Sequence, residues 1–97
     1  MKIKGFNIYY KVLDWDNDCY DYFDTLKDAK NGVREMYKNG SKNLRIYMVA
    51  DDGEESDDLG GIFFYGQDGI ENEENTLEEE LALLTEQETI DYANNNL

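Results

Sequence analysis

The sequence predicts an α+β fold in which two antiparallel β-hairpins form a sheet and helices pack on it. The expected order is β-β-α-β-β, followed by a segment that is either helix or strand and then by a helix. Two observations support this order: apolar residues alternate with period two in the predicted strands, and they recur at helical spacing behind threonine caps. The 97 residues suffice for one modest core, so we expect residues 1–97 to form a single domain.

The first predicted hairpin begins near the N-terminus. Residues 2–14 alternate between two faces, and the face expected in the core consists of Phe6, Ile8, Tyr10 and Val12. Residues 16–18, Asp-Asn-Asp, form a polar turn because their side chains bond their own backbone, and residues 19–23 then have strand composition. Cys19, the single cysteine, has no partner for an internal disulfide and is interpreted as a small strand residue.

The first predicted helix spans residues 26–39. Thr25 is placed to cap its N-terminus, with Asp28 three residues on as a variant of the capping box, and Gly40 ends it. The apolar residues at helical spacing are Leu26, Ala29, Val33, Met36 and Tyr37. This spacing predicts one buried helix face.

Residues 43–50 and 61–65 form the second predicted hairpin, because both stretches have strand composition. Their connection, residues 51–60, has six acids in ten residues and is predicted to be an exposed, mobile loop. Over the whole chain, the residues expected in the core are Phe6, Ile8, Val12, Val33, Met36, Ile46, Met48, Phe64 and Ile90.

The last third of the chain is less clearly patterned. Residues 67–75 are interpreted as a polar, acidic connector. Residues 76–84 fit either a short helix capped by Thr76 or a last strand. Thr85 begins a full capping box, which predicts a final helix over residues 86–94.

Charge is segregated along the chain. The net charge of −14 arises because residues 51–91 carry sixteen carboxylates, while no Lys or Arg follows Arg45. Residues 1–45 hold all nine basic residues against seven acids. A half that contains only carboxylates repels itself, so such a chain usually needs its negative field for solubility, for cations or for a basic partner. The eight tyrosines also suit an interface.

Catalytic chemistry has little support in this sequence. The chain has no histidine, which excludes a Ser-His-Asp triad, a histidine base and a histidine metal ligand. Cys19 has no activating partner that the sequence reveals, and no phosphate-binding glycine loop is present. We therefore expect a non-enzymatic protein with no catalytic residues and no cofactor.

One short acidic motif is similar to the start of a calcium-binding loop. Asp14, Asp16 and Asp18 alternate as EF-hand ligands do. The sixth position should be glycine but is Cys19, and the twelfth should be glutamate but is Thr25. We therefore assign no metal ligands, and a cation-binding regulatory module stays an alternative interpretation.

Direct binding to nucleic acid or to a membrane is not expected. The first predicted helix carries a basic stripe, which we interpret as a solvated face that attracts the acidic half; it consists of Lys27, Lys30, Arg34 and Lys38. A net charge of −14 opposes the binding of phosphates. The sequence has no apolar run of about 18 residues and no secretory pattern, so we expect a cytoplasmic protein.

In size, acidity and lack of catalytic residues, the chain resembles the small inhibitors made by phages and mobile elements, among them anti-CRISPR, antirestriction and uracil-glycosylase inhibitor proteins. The resemblance implies a DNA mimic that occupies the basic channel of a nuclease or another nucleic-acid-binding protein. Sixteen carboxylates along a domain of roughly 30 Å approach the one charge per ~1.7 Å of B-DNA. An immunity protein that neutralises a nuclease toxin is the alternative.

The partner-binding surface is predicted on the acidic connector of the second hairpin, residues 51–58, and on residues 71–80 after this hairpin. Exposed connectors let acids follow a partner's Lys and Arg, and aromatic residues on adjoining strands supply affinity. The acidic candidates are Asp51, Asp52, Glu54, Glu55, Asp57, Asp58, Glu71, Glu73 and Glu74, and the aromatic candidates are Tyr47, Phe63 and Tyr65.

The charge segregation predicts how stability responds to solution conditions. We expect the melting temperature to rise with moderate salt and with mild acid, because both weaken repulsion among the sixteen carboxylates. The Debye length falls from ~10 Å at 0.1 M to ~3 Å at 1 M ionic strength, so thermal unfolding from low salt to about 0.5 M sodium chloride tests this. A steady fall in melting temperature would show that attraction to the basic stripe outweighs the repulsion.

Overall fold

The computed structural model describes residues 1–66 and 76–97. These residues form an α+β fold with an antiparallel sheet of five strands and three helices. The elements in chain order are β1 (Lys2–Ile3), β2 (Phe6–Asp14), β3 (Cys19–Phe23), α1 (Leu26–Lys38), β4 (Leu44–Asp51), β5 (Ser56–Tyr65), α2 (Leu77–Leu83) and α3 (Glu86–Asn96). None of these described helices is long and apolar enough to cross a membrane.

Strands β2 and β4 form the centre of the sheet. They pair antiparallel from Asn7 opposite Asp51 to Asp14 opposite Leu44. Strand β5 pairs with the edge of β4 that faces away from β2. Strands β1 and β3 both pair with the edge of β2 that faces away from β4. The predicted hairpins, β2–β3 and β4–β5, are therefore confirmed, and α1 connects them.

One face of the sheet is buried beneath the three described helices. The alternating residues of β2 and β4 on this core face are almost fully buried; they are Ile8, Tyr10, Val12, Leu44, Ile46, Met48 and Ala50. The helices add the buried residues Leu26, Ala29, Val33, Leu77, Leu81 and Ala93. Three further residues predicted in the core, Phe6, Met36 and Ile90, are partly buried and pack against this cluster.

A threonine caps each of the three described helices. Thr25, Thr76 and Thr85 each accept a hydrogen bond from the backbone N–H three residues on, at 3.1 to 3.2 Å. The segment before α3, which the sequence left open, is therefore the helix α2. Helix α1 ends at Lys38 as predicted within one residue, and Gly40 beyond it has a φ of +105°, which suits glycine.

The first predicted strand is interrupted by a tight turn. Lys4 and Gly5 have φ values of +52° and +87°, and two positive values in succession are the pattern of a type I′ hairpin turn. Ile3 pairs with Phe6 across this turn. Residues 2–14, predicted as one strand, are therefore two strands, β1 and β2, separated by Lys4 and Gly5.

The acidic connection between β4 and β5 is much shorter than predicted. Strand β4 continues to Asp51 and β5 begins at Ser56, so only residues 52–55 form the turn. Asp57 and Asp58 lie in β5 and pair with β4. The prediction of a long loop over residues 51–60 is wrong, because backbone pairing with β4 overrides the low strand propensity of aspartate.

Strand β5 also faces the core with a different aromatic residue from the one predicted. Its register with β4 shifts twice, once between Ile46 and Tyr47 and once between Met48 and Val49. After each shift, the alternate set of β5 side chains faces the core. As a result Phe63 lies opposite Ile46 and is only 6% exposed. Phe64 lies on the other face and is 41% exposed, so its prediction as a core residue is wrong.

The two phenylalanines provide a test of this register. Phe63→Ala should lower the free energy of unfolding by about 3–5 kcal/mol, because it removes buried surface and leaves a cavity. Phe64→Ala is the matched control and should cost clearly less, because that ring is 41% exposed. Urea unfolding followed by circular dichroism measures both variants, and equal losses would contradict the double register shift.

Candidate functional site

The acidic turn between β4 and β5 has a defined backbone conformation. Asp51 Oδ1 accepts a hydrogen bond from the backbone N–H of Gly53 at 2.8 Å. Asp52 Oδ1 accepts from the backbone N–H groups of Glu54 and Glu55 at 2.9 and 2.8 Å. The Asp52 N–H in turn donates to the Glu55 carbonyl at 3.1 Å. Two acidic side chains are thus held in place by the turn that they help to form.

This turn gathers negative charge at one end of the sheet. We call this surface the acidic hairpin end; it consists of Asp51, Asp52, Glu54, Glu55, Asp57 and Asp58. With a strand rise of about 3.3 Å per residue, these six carboxylates lie within roughly 15 Å. Hydrogen bonds from the Glu55 and Glu54 backbone lower the pKa of Asp52 below its ordinary value, which favours its charged form.

Asp58 connects the acidic hairpin end to the face of the sheet opposite the core. Its Oδ2 lies 3.0 Å from Lys11 Nζ on β2. The hydrogen bond to Asp58 raises the pKa of Lys11. Because Asp58 is half exposed, this ion pair contributes at most about 1 kcal/mol. The other five acids of the hairpin end form no ion pair within the described residues.

The predicted aromatic anchors do not share a surface. Tyr47 is partly buried on the face opposite the core. Phe63 belongs to the core, so it is not available to a partner. Tyr65 lies on the core side, where its ring centroid is 5.9 Å from that of Tyr37 on α1. The remaining predicted acids, Glu71, Glu73 and Glu74, lie outside the described residues.

The basic stripe of α1 is partly used inside the molecule. Arg34 donates two parallel hydrogen bonds to Glu78 on α2, from Nε to Oε1 at 2.7 Å and from Nη2 to Oε2 at 3.0 Å. The hydrogen bonds from Arg34 lower the pKa of Glu78, and the nearby charge of Lys30 lowers it further. These contacts agree with the interpretation of the stripe as a face that attracts the acidic half.

Asp14, the first residue of the calcium-like motif, fixes the turn of the first hairpin. Its side chain is buried and accepts hydrogen bonds from the Asn17 amide at 2.8 Å, from the Asn17 backbone and from the Ser41 hydroxyl. Burial raises the pKa of Asp14, but these hydrogen bonds outweigh burial and leave the pKa below its ordinary value. In the described ranges 1–66 and 76–97, no three His, Cys, Asp or Glu side chains are placed to hold a metal ion.

The face opposite the core carries an aromatic cluster that sequence reasoning missed. We call it the open face, because all described helices pack on the other side; its rings are Tyr9, Trp15, Tyr20, Tyr22, Tyr47 and Phe64. Edge-to-face contacts join Tyr9 to Tyr22 at 5.6 Å and Tyr20 to Tyr22 at 5.5 Å between ring centroids. The period-two alternation of β2 and β3 is the signal that could have placed Tyr9, Tyr20 and Tyr22 on one face.

Lys11 lies among the tyrosines of the open face. Its Nζ is 5.4 Å from the ring centroid of Tyr47 and 5.9 Å from that of Tyr20. Cation–π attraction at these distances adds to the ion pair with Asp58. The position of Lys11 is therefore fixed from both neighbouring strands.

Arg45 is the second cation of the open face. Its guanidinium carbon is 3.9 Å from the Trp15 ring centroid and 5.6 Å from that of Phe64. Its Nε is buried and makes no hydrogen bond, and none of the described carboxylates forms an ion pair with it. The absence of an acidic partner stands out in a chain with 23 acids.

Comparison with known proteins gives no relative. No protein-family model, no curated protein and no solved structure matches the chain. The acidic hairpin end and the open face are therefore the two surfaces from which we infer function.

Asp14 provides a test with a defined pH dependence. Asp14→Ala should lower the free energy of unfolding at neutral pH by about 1–3 kcal/mol, because it leaves the donors of Asn17 and Ser41 without an acceptor. A carboxyl whose pKa is depressed by folding stabilises the protein above its unfolded pKa of about 3.9, and this stability is lost as pH falls through the folded value.

Below about pH 4, the free energy of unfolding should therefore fall less steeply for the Asp14→Ala variant than for the parent chain. Asp16→Ala, at an exposed position in the same turn, is the control and should follow the parent chain. Chemical unfolding at a series of pH values measures the three proteins. Parallel pH curves for Asp14→Ala and the parent would contradict this role of the carboxylate.

Proposed function

We propose that this protein is a non-enzymatic inhibitor that binds the basic surface of a nucleic-acid-binding protein or nuclease by presenting a DNA-like negative surface. The observation that carries the proposal is the acidic hairpin end, where six carboxylates lie at one end of the sheet around a turn closed by hydrogen bonds. The remaining acids of residues 51–91 add to this negative field, since no Lys or Arg follows Arg45.

The charge density of the acidic hairpin end is comparable to that of DNA. B-DNA presents one charge per ~1.7 Å of axis, so a length of roughly 15 Å holds about nine phosphates. Six carboxylates over the same length give about two-thirds of this density. A channel lined by Lys and Arg that binds phosphates would therefore attract this surface, with association steered by charge and weakened by salt.

The conformation of the turn favours binding as well. The carboxylates of Asp51 and Asp52 bond the turn backbone, so the chain is already ordered before a partner arrives. Less conformational entropy is then lost on association than with an unstructured acidic segment. Glu54, Glu55 and Asp57 are exposed, and their side chains are free to meet basic groups.

Two variants of equal charge test the proposal. The first removes three exposed charges from the acidic hairpin end through Glu54→Gln, Glu55→Gln and Asp57→Asn, and leaves the hydrogen bonds of Asp51 and Asp52 in place. The control removes three exposed charges from α3 through Glu86→Gln, Glu88→Gln and Asp91→Asn. Both variants preserve side-chain size and change the net charge equally.

The experiment captures partners from a host lysate on the immobilised protein at low salt and identifies what elutes as salt rises. Surface plasmon resonance with the purified partner should show association slowed about tenfold for the hairpin variant, with a flatter salt dependence, and little change for the control. Double-stranded DNA should compete for the partner. Equal rates for both variants, or a partner that DNA does not displace, would contradict the proposal.

A further inference from the structure

The open face is a large aromatic surface that the proposed function does not use. Trp15, Tyr20, Tyr22 and Phe64 are 51, 54, 56 and 41% exposed. An aromatic side chain presents about 150–250 Å² in total, so these four leave about 400 Å² of aromatic surface in contact with water. The largest apolar patch on a typical monomer is about 300–600 Å² and is often a binding site.

We infer that the open face binds a second copy of this chain in a symmetric dimer, and this inference does not depend on the proposed function. Two copies would bury about 800 Å² from the four exposed rings alone, and a biological interface should exceed about 1,000 Å² in total. Tyr9, Lys11 and Tyr47 adjoin these rings and add to the area. The resulting composition, rich in Tyr, Trp, Phe and Arg, is typical of the centre of protein interfaces.

The polar groups of the open face are suited to a copy of themselves. The hydroxyl groups of Tyr9, Tyr20, Tyr22 and Tyr47 make no hydrogen bond in the described part of the chain, and a hydroxyl both donates and accepts. The guanidinium of Arg45 is a donor only and has no acceptor there. In a two-fold contact each copy supplies the acceptors that the other lacks.

Charge disfavours a basic partner at this face. Lys11 and Arg45 lie among the aromatic rings and would repel the Lys and Arg of such a partner. The acids of α2 and α3 lie on the opposite side of the sheet. With layer spacings of about 10 Å, these helices would be at least roughly 20 Å apart in the dimer. That separation exceeds the Debye length of about 8 Å at physiological ionic strength.

Trp15 allows the dimer and its location to be measured together, because it is the only tryptophan and lies on the open face. Sedimentation equilibrium of the full chain should show a monomer–dimer equilibrium. Tryptophan emission should shift to shorter wavelength with the same concentration midpoint. The dimer should strengthen from about 0.05 M to about 0.5 M sodium chloride, since salt screens the repulsion between two copies. Binding of a basic partner by the acidic hairpin end should weaken over the same range, so the two effects are distinguishable.

The variant Tyr20→Ser with Tyr22→Ser should weaken the dimer about tenfold or more, because truncating central aromatic residues removes most of an interface's affinity. Tyr37→Ser is the control, since this ring is 44% exposed but lies on α1. A chain that stays monomeric at all concentrations and salts would overturn the inference. A dimer whose formation leaves Trp15 emission unchanged would also overturn it. So would a change in Trp15 emission when an octa-arginine peptide is added to a monomeric chain. The parent-chain measurements decide the matter even if the double variant does not fold.

Discussion

The pairing of β2 with β4 is the constraint on which the rest of the structure depends. Val12 lies opposite Ile46, and both are fully buried on the core face. In the same register Lys11 lies opposite Tyr47 on the open face. A slip of one residue would exchange the two faces and expose the core, so the buried pairs hold the register firmly. One register therefore defines both the hydrophobic core and the composition of the open face.

Apolar burial, rather than ion pairing, holds the acidic half against the sheet. The ion pairs of Arg34 with Glu78 and of Lys11 with Asp58 are at least partly open to water, which screens them, so they add little to stability. Burying one leucine contributes about 1.5–3 kcal/mol, and the helices of this half bury Leu77, Leu81, Leu84 and Ala93. Glu79, Glu86, Glu88 and Asp91 on these helices are exposed to solvent.

The sequence predicts burial correctly where apolar residues recur at a regular strand or helix spacing. It fails where that spacing is interrupted. The core faces of β2 and β4 and most of the apolar stripe of α1 follow from spacing alone, but Tyr37 of that stripe is 44% exposed. Strand β5 does not follow from spacing, because Ser56–Asp58 has the composition of a turn and two register shifts interrupt its alternation. Only pairing with β4, which is a tertiary interaction, makes this segment a strand and turns Phe63 inward.

The candidate surfaces differ in the same way. The acidic hairpin end consists of neighbours in sequence, so a count of acids between two strands was enough to find it. The open face combines residues of four strands with Trp15, and the contact of Arg45 with Trp15 and Phe64 depends on the β4–β5 register. No local pattern contains that information.

The two surfaces meet where Asp58 pairs with Lys11, but the turn of the acidic hairpin end lies outside this contact. The turn of the acidic hairpin end lies beyond the last paired residues of β2 and β4, Asn7 and Asp51, and so projects from the end of the sheet. A dimer formed through the open faces would leave both turns exposed and carry twice the −14 charge of one chain. A partner with two basic sites at matching distance would bind both turns with increased avidity, whereas a partner with one channel would engage a single turn. Dimer geometry would then select partners by the spacing of their basic sites as well as by their charge.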